Sequence, residues 1–309
     1  MPKFPVLQLK NSTKGELYAI SLTFIDAWFP ILALYCVTAL GAIHTYFYSL
    51  VIATTLLGLL LWQQGKITEL KLRKAWWNLF MVSLTITSLY ILVFLALRTT
   101  SPNHVALILF LQVLFAYLFF GRQPEEQLSS MHKWGAMLMS LGAVIILFPK
   151  DLQINKGDLW VLMAALIAPF ANLYQKRARQ QVSSLTILFV RSAIALPFLY
   201  LLATLLEPTP SWHAIQQQGI WLLLIGGLAF VVGKVWWIEA IRLLPITKVN
   251  ALYAFSPALT LLLSYWLLET PPTHSQIIGA IPIILGSLLL TRQASAKIRL
   301  PTNQTEEKP

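Results

Sequence analysis

Long apolar runs, separated by short clusters of charged residues, follow one another from residue 16 to residue 292. Each run holds about 20 residues, the length that an α-helix needs to cross roughly 30 Å of hydrocarbon. No run alternates apolar and polar positions with a period of two, which excludes the strand pattern of an outer-membrane barrel. We therefore predict an all-α membrane protein with ten transmembrane helices, at residues 16–37, 42–62, 76–97, 103–120, 133–149, 158–175, 184–206, 219–240, 248–268 and 276–292.

The composition predicts a surface that faces lipid. Of the 309 residues, 57% are hydrophobic and 11% are charged, and the mean hydropathy is +0.68. A soluble domain carries about 25% charged residues, because its surface must face water. The chain has one cysteine, Cys36, and no metal-ligand spacing, phosphate-binding glycine loop or nucleophile motif. We therefore expect no enzyme activity and no cofactor.

The positive charges alternate between the two predicted sides of the membrane. If the N-terminus is cytoplasmic, 18 Lys and Arg residues fall in cytoplasmic segments, whereas the opposite side holds only Arg98, Lys150 and Lys156. The positive-inside rule then predicts that both termini are cytoplasmic. The net charge of +11 follows this topology, and no basic stripe indicates a nucleic-acid partner. Short loops, and a polar N-terminal stretch without a cleavage pattern, favour a bacterial inner membrane.

The chain repeats itself after five helices. Gly157-Asp158-Leu159 stands 142 residues after Gly15-Glu16-Leu17, and from the third helix onward the offset is 144. The later matches are Trp77 with Trp221, Ala96 with Ala240, Arg98 with Arg242, Glu125 with Glu269, Gly135 with Gly279 and Gly142 with Gly286. Because five is an odd number, the second unit must be inverted in the membrane, as in many secondary transporters. We predict a tail at 1–14, a first repeat at 15–149, a second repeat at 157–292 and a tail at 293–309.

These motifs resemble the EamA-like, ten-helix branch of the drug/metabolite transporter superfamily over residues 15–292. The resemblance is carried by Gly157-Asp158-Leu159, Arg191, Glu239-Ala240-Ile241-Arg242, Ser256-Pro257-Ala258, Leu268-Glu269, and Gly279-Ala280 with Gly286. It implies a small-molecule transporter with a cavity among the first, third, fourth, sixth, eighth and ninth helices. The first half departs from the pattern, with Gln112-Val113 in place of Ser256-Pro257 and Ser49 in place of Arg191.

Two charges inside predicted helices are the main candidates for function. A charge at the bilayer centre costs roughly 2.5–3.5 kcal/mol, so it faces the bundle interior or a wet cavity. Asp26 lies in the middle of the first helix, and Lys234 lies in the eighth, where its repeat partner is Tyr90. We expect Lys234 to bind an anionic group, and Asp26 to carry a coupling proton or bind a substrate ammonium. The alternatives are a structural carboxyl at Asp26, a Lys234 side chain that snorkels to the membrane surface, or an ion pair between the two.

Uncharged polar residues within the predicted helices are candidates to line the cavity, although each is equally explained by a helix–helix hydrogen bond. With Lys234, Asp26 and Tyr90, the predicted substrate-binding set includes Gln112, Asn172, Asn250, Tyr253 and Ser256. Four further residues are interpreted as structural or gate residues: Arg191, Glu239, Glu125 and Glu269. For Arg191 we favour snorkelling or a bond to a helix end over substrate contact.

Together these features predict a secondary active transporter that exports a small polar metabolite or drug by alternating access, with proton coupling as an option. Its partners would be the small-molecule substrate and membrane lipid, and the sequence leaves a homodimer open. The alternative is a lipid-handling or scaffold membrane protein that moves no solute.

Overall fold

The computed structural model describes residues 11–120, 130–147, 155–244 and 246–291, and all regular structure in these ranges is helical. Seven helices are long and apolar enough to cross a membrane, at 11–40, 42–63, 73–96, 102–120, 156–179, 184–206 and 219–243. Three shorter apolar helices accompany them, at 131–147, 256–268 and 274–290. The prediction of an all-α membrane protein is therefore confirmed.

The first half of the chain contains six helices, with two short 3₁₀ turns, Lys66–Lys71 and Arg73–Ala75, before the third. They are α1 (Asn11–Leu40), α2 (Ala42–Gln63), α3 (Trp76–Ala96), α4 (Pro102–Leu109), α5 (Gln112–Phe120) and α6 (Ser130–Leu147). The second half contains α7 (Lys156–Arg179), α8 (Ser184–Leu206), α9 (Trp212–Gln217), α10 (Gly219–Leu223), a π-helical segment (Leu224–Gly233), α11 (Lys234–Leu243), α12 (Ile246–Tyr253), α13 (Ser256–Leu268) and α14 (His274–Thr291).

Several helices extend beyond the apolar runs that predicted them. The first helix was predicted at 16–37 and spans Asn11–Leu40, and the sixth was predicted to end at residue 175 and ends at Arg179. The predicted ends followed hydrophobicity, whereas a helix continues for as long as its residues favour helical backbone. Lys, Arg, Gln and Ala are good helix formers, so the polar stretch 175–179 stays helical.

Two predicted helices are broken at equivalent points of the two repeats. The fourth divides into α4 and α5 at Phe110 and Leu111, and the ninth divides into α12 and α13 at Ala254 and Phe255, 144 residues later. In the second repeat, Pro257 explains the break, because its ring clashes with the carbonyl group four residues earlier, where α12 ends. The first repeat breaks at the same point without a proline.

The predicted eighth helix, 219–240, contains a long π-helical segment. This segment ends at Gly233, so Lys234 is the first residue of α11. A π-helix closes its hydrogen bonds over five residues instead of four, and such segments often occur at functional sites. The repeat-equivalent helix α3 is a regular α-helix, so the two repeats present Tyr90 and Lys234 from different backbone geometries.

The fifth helix of each repeat packs against its counterpart through glycines. A Cβ atom built on Gly286 would lie 2.5 Å from the Gly135 carbonyl oxygen, and one built on Gly142 would lie 2.6 Å from the Gly279 carbonyl oxygen. Rising numbers on α6 meet falling numbers on α14, so these equivalent helices are antiparallel, as inverted repeats require. The repeat offset exchanges the two contacts, which places them on the pseudo-twofold axis between the repeats.

One face of the bundle, here called the basic face, carries the C-terminal ends of α2, α7 and α11 and the start of α8. Glu69, in the turn after α2, accepts hydrogen bonds from the backbone N–H of Ser183 (2.7 Å) and the hydroxyl of Thr186 (2.6 Å). This contact joins the first half of the chain to the N-terminus of α8, where a negative charge is favourable. It is therefore a link between the two repeats.

Glu69 makes stability depend on pH. Burial raises the pKa of Glu69, but the hydrogen bonds from Thr186 and Ser183, with the nearby Lys66 ammonium, outweigh burial and lower the pKa below its usual value. A carboxyl with a lowered pKa in the folded state stabilises that state above its unfolded pKa, about 4.3. The stabilisation is lost as the pH falls through the folded pKa.

We therefore expect the melting temperature of the wild type in detergent to fall more steeply than that of Glu69→Gln below about pH 4.5. At neutral pH, Glu69→Gln should melt at a lower temperature than the wild type. Thermal unfolding of both proteins between about pH 7 and pH 3.5 tests this expectation. Parallel pH profiles would show that the Glu69 contacts do not stabilise the fold.

Candidate functional site

A central cavity of about 900 Å³ lies where the two repeats meet. Residues of α1, α3, α4 and α5 line it from the first repeat, and residues of α7, α8, α11, α12 and α13 line it from the second. Both helix breaks border the cavity, through Phe110 and Gln112 on one side and Tyr253 and Ser256 on the other. Broken helices of this kind expose backbone groups beside binding sites in many transporters.

Asp26 and Lys234 form an ion pair in this cavity. The Lys234 ammonium donates to both Asp26 carboxylate oxygens, at 3.0 and 2.9 Å, and the Tyr253 hydroxyl donates to the second oxygen at 3.1 Å. Tyr90 is a further hydrogen-bonding neighbour of Lys234. Of the alternatives that the sequence left open, the structure shows the ion pair, and Lys234 does not snorkel to the membrane surface. The pair joins the two repeats, because α1 supplies the acid and α11 the base.

The cavity contains seven of the eight residues predicted to bind substrate. The seven are Asp26, Tyr90, Gln112, Asn172, Lys234, Tyr253 and Ser256. Asn250 does not line the cavity, so the structure contradicts its placement there. The reason is the break in the ninth helix, because Tyr253, the last residue of α12, is the only residue of α12 that lines the cavity. The prediction placed Asn250 on the face of an unbroken helix.

Three polar or amphipathic residues of the cavity were not predicted from the sequence: Gln175, Trp237 and Thr260. The predicted sixth helix ended at Gln175, which put that residue at the membrane boundary, but α7 continues to Arg179 and Gln175 is buried. Thr260 follows Ser256 by one helical turn and donates to the carbonyl oxygens of Ala27 and Ser256, both at 3.1 Å. The spacing of four residues from Ser256 could have identified Thr260.

Arg191 also lines the cavity, contrary to the interpretation as a snorkelling or helix-end residue. The residue is only 2% exposed, although it lies about 10 Å along α8 from the end of the helix. None of the ion pairs among the described residues includes Arg191, and its buried Nε has no hydrogen-bond partner there. The sequence gave the depth of Arg191 but not the direction of its side chain.

The carboxylates predicted as structural or gate residues lie away from the cavity. Glu239 accepts from Arg179 (3.0 Å), from Arg242 (2.7 Å) and from the Ser184 hydroxyl, which ties together α7, α8 and α11 of the second repeat. Glu269 follows the end of α13 in a left-handed conformation (φ 50°) and is exposed. Glu125 lies outside the described residues.

The face opposite the basic face carries a second cavity of about 1,940 Å³, here called the vestibule. Glu207 lines it and accepts the backbone N–H groups of Ala42, Ile43 and His44, at 2.9 to 3.2 Å. Those N–H groups begin α2, whose orphan donors favour an anion. The His44 ring, which the sequence placed just inside the second helix, lies 3.3 Å from the same carboxylate. This contact, like the one at Glu69, joins the two repeats.

Known proteins resemble this chain in sequence and in fold. The model of the EamA-like transporter family matches the chain twice, at residues 13–148 and 155–292. An uncharacterized transporter of Synechocystis is 23% identical, over 74% of this chain and 68% of that protein. The uncharacterized transporter YyaM of Bacillus subtilis is 25% identical, over 70% of this chain and 72% of that protein. One solved crystal structure, 18% identical, superposes with a TM-score of 0.65 over 90% of this chain and 96% of the other, which shows a shared fold.

Proposed function

The chain belongs to the EamA-like transporter family and is a multi-pass membrane transporter, and from this premise we propose that it carries a small polar metabolite across the cell membrane by alternating access. The observation that carries the proposal is the buried Asp26–Lys234 ion pair at the wall of the central cavity. Charges at this depth in a bilayer are costly, so a purely structural protein gains little by keeping them. A polar solute that crosses the membrane needs such groups in place of water.

The proposed topology has ten crossings, with both termini in the cytoplasm. The seven long helices and the three shorter apolar helices supply the ten crossings. The antiparallel contact of α6 with α14 supports two inverted units of five. Lys and Arg concentrate on the basic face, which the positive-inside rule assigns to the cytoplasm.

The links between the repeats suggest what must change during transport. Glu69 joins the repeats at the basic face, and Glu207 joins them at the vestibule. In the proposed cycle one of these links opens while the other stays closed, which exposes the cavity to one side at a time. Glu239 has no such part, because its partners belong to its own repeat.

Proton coupling, where present, would act through Asp26. Protonation of this carboxyl removes the charge that holds Lys234, so the ammonium could leave Asp26 and engage an anionic group. Charge and proton movements would then be linked at one pair that spans both repeats.

Transport by purified protein in liposomes tests the function. We expect at least one solute from a panel of carboxylates, amino acids, amines, sugars and nucleotides to accumulate above the level in protein-free liposomes, and a proton gradient of either direction to change that rate. The variant Asp26→Asn/Lys234→Met, which leaves no unpaired charge, should lose transport, whereas the exposed-loop variant Lys71→Met should keep it. Movement of fluorescent phospholipid between leaflets, without movement of any solute, would overturn the proposal and favour lipid handling.

A further inference from the structure

The guanidinium of Arg191 is the one charge of the central cavity that has no partner in the described part of the chain. Arg191 is 2% exposed, and its Nε is buried without a hydrogen bond. An arginine cannot lose its proton in a protein, so the positive charge stays in the cavity. Burying a charge without a counter-charge is unfavourable, and an anion beside it would offset the cost.

The carboxylates of the described residues do not provide that anion. Within the cavity, the Asp26 carboxylate is held by Lys234 and Tyr253. The carboxylates of Glu69 and Glu239 accept other hydrogen bonds at the basic face, and those of Asp158 and Glu207 pair with histidines near the vestibule. The charged groups that line the cavity therefore sum to one net positive charge, from Asp26, Lys234 and Arg191.

The remaining walls are mostly apolar. Aromatic and aliphatic side chains contribute most of the lining: Phe29, Ile86, Leu89, Leu109, Phe110 and Trp237. Amide side chains of Gln112, Asn172 and Gln175 add a few uncharged polar groups. A ligand that matches this surface has one anionic group and an apolar body, in a pocket of a size usual for small-molecule sites.

We propose that the substrate is an organic monoanion, a carboxylate with an apolar or aromatic body, whose carboxylate pairs with Arg191. This inference rests on the proposed transport function and names the substrate class of the same cavity. A planar guanidinium can bind a carboxylate through two parallel hydrogen bonds. A free ammonium group finds no unpaired carboxylate among the described residues of the cavity, so amines and zwitterions bind more weakly than the corresponding acid.

The first experiment compares four probes that share one ring and differ in charge: phenylacetate, phenylacetamide, phenylalanine and phenethylamine. Binding to the detergent-purified wild type is followed by calorimetry and by the shift in melting temperature. We expect phenylacetate to bind at least about tenfold more tightly than the other three, as a charge-assisted pair predicts. Equal binding of the acid and its neutral amide, or preference for the amine or the zwitterion, would overturn the inference.

The second experiment changes the charge of the site. Arg191→Met should weaken phenylacetate binding about 10- to 100-fold, and Arg191→Lys, which keeps the charge but not the fork, should fall between Met and the wild type. Arg98→Met, which removes a half-exposed arginine near the vestibule, should bind as the wild type does. Unchanged binding in Arg191→Met would refute the role of Arg191.

Stability separates binding from a structural role. Without ligand, Arg191→Met should melt at or above the temperature of the wild type, because it removes an uncompensated buried charge. A large fall in melting temperature in both Arg191→Met and Arg191→Lys would instead show that Arg191 has a structural partner. Transport of an amine or a sugar that is insensitive to Arg191 would end this inference and leave the proposed transport function intact.

Discussion

Replacing Lys234 with methionine is expected to lower the free energy of unfolding by about 3 kcal/mol or more, whereas Asp26→Asn/Lys234→Met should recover most of that loss. The single change leaves the Asp26 carboxylate buried with only the Tyr253 hydroxyl as a partner. The double change removes both charges and replaces them with groups of similar volume. The expected order of stability is thus wild type and double variant above the single variant.

Unfolding by denaturing detergent, with Lys71→Met as the exposed-lysine control, measures these differences. The coupling free energy from the complete cycle, which includes Asp26→Asn, should favour the pair. Equal losses in the single and the double variant would mean that the Asp26–Lys234 contact adds nothing to the stability of the fold. Because transport should be lost in the stable double variant, the same proteins separate folding from function.

Leucine in place of Gly142 or Gly286 is expected to cost about 3 kcal/mol or to prevent folding. At both positions the nearest atom to an added Cβ is a backbone carbonyl oxygen of the facing helix, at 2.5 to 2.6 Å, so no side-chain rotation can relieve the clash. Gly219→Leu is a matched control, since no atom lies within 4 Å of its Cβ position. We expect that variant to fold as the wild type does.

Alanine variants of the same contact test its geometry. Gly135 and Gly286 meet each other, so a first Cβ at either position forces α6 and α14 apart. The double alanine variant should therefore lose less stability than the sum of the two single variants, as coupled neighbours do. Additive losses, measured by thermal unfolding in detergent, would contradict direct contact between these two residues.

The sequence by itself determined the helical class, the repeat and the positions that matter most along the membrane normal. Apolar runs mark where a chain can cross lipid, and a charge within such a run must find a partner or a cavity. For this reason Asp26 and Lys234 could be identified before their contact was known. The glycines of the fifth and tenth helices were found from their repeat spacing, and the structure confirms that they allow close helix contact.

The tertiary structure decided which way side chains face and where helices break. The helices of this chain are apolar on most sides, so periodicity does not distinguish the face toward lipid from the face toward the cavity. Asn250 and Arg191 were misassigned for this reason, the first by an unseen break and the second by an unseen direction. Only the break in α4–α5 and the π-helical segment before Lys234 set the final register.

The pairing of charges was likewise beyond the sequence. Depth along a helix follows from counting residues at about 1.5 Å each, but an ion pair also needs the rotation and the neighbour of each helix. Those come from packing between segments about 200 residues apart, such as the contact of Lys234 with Asp26. Hydrophobicity therefore fixed where each residue lies across the membrane, and helix–helix packing fixed which residues meet.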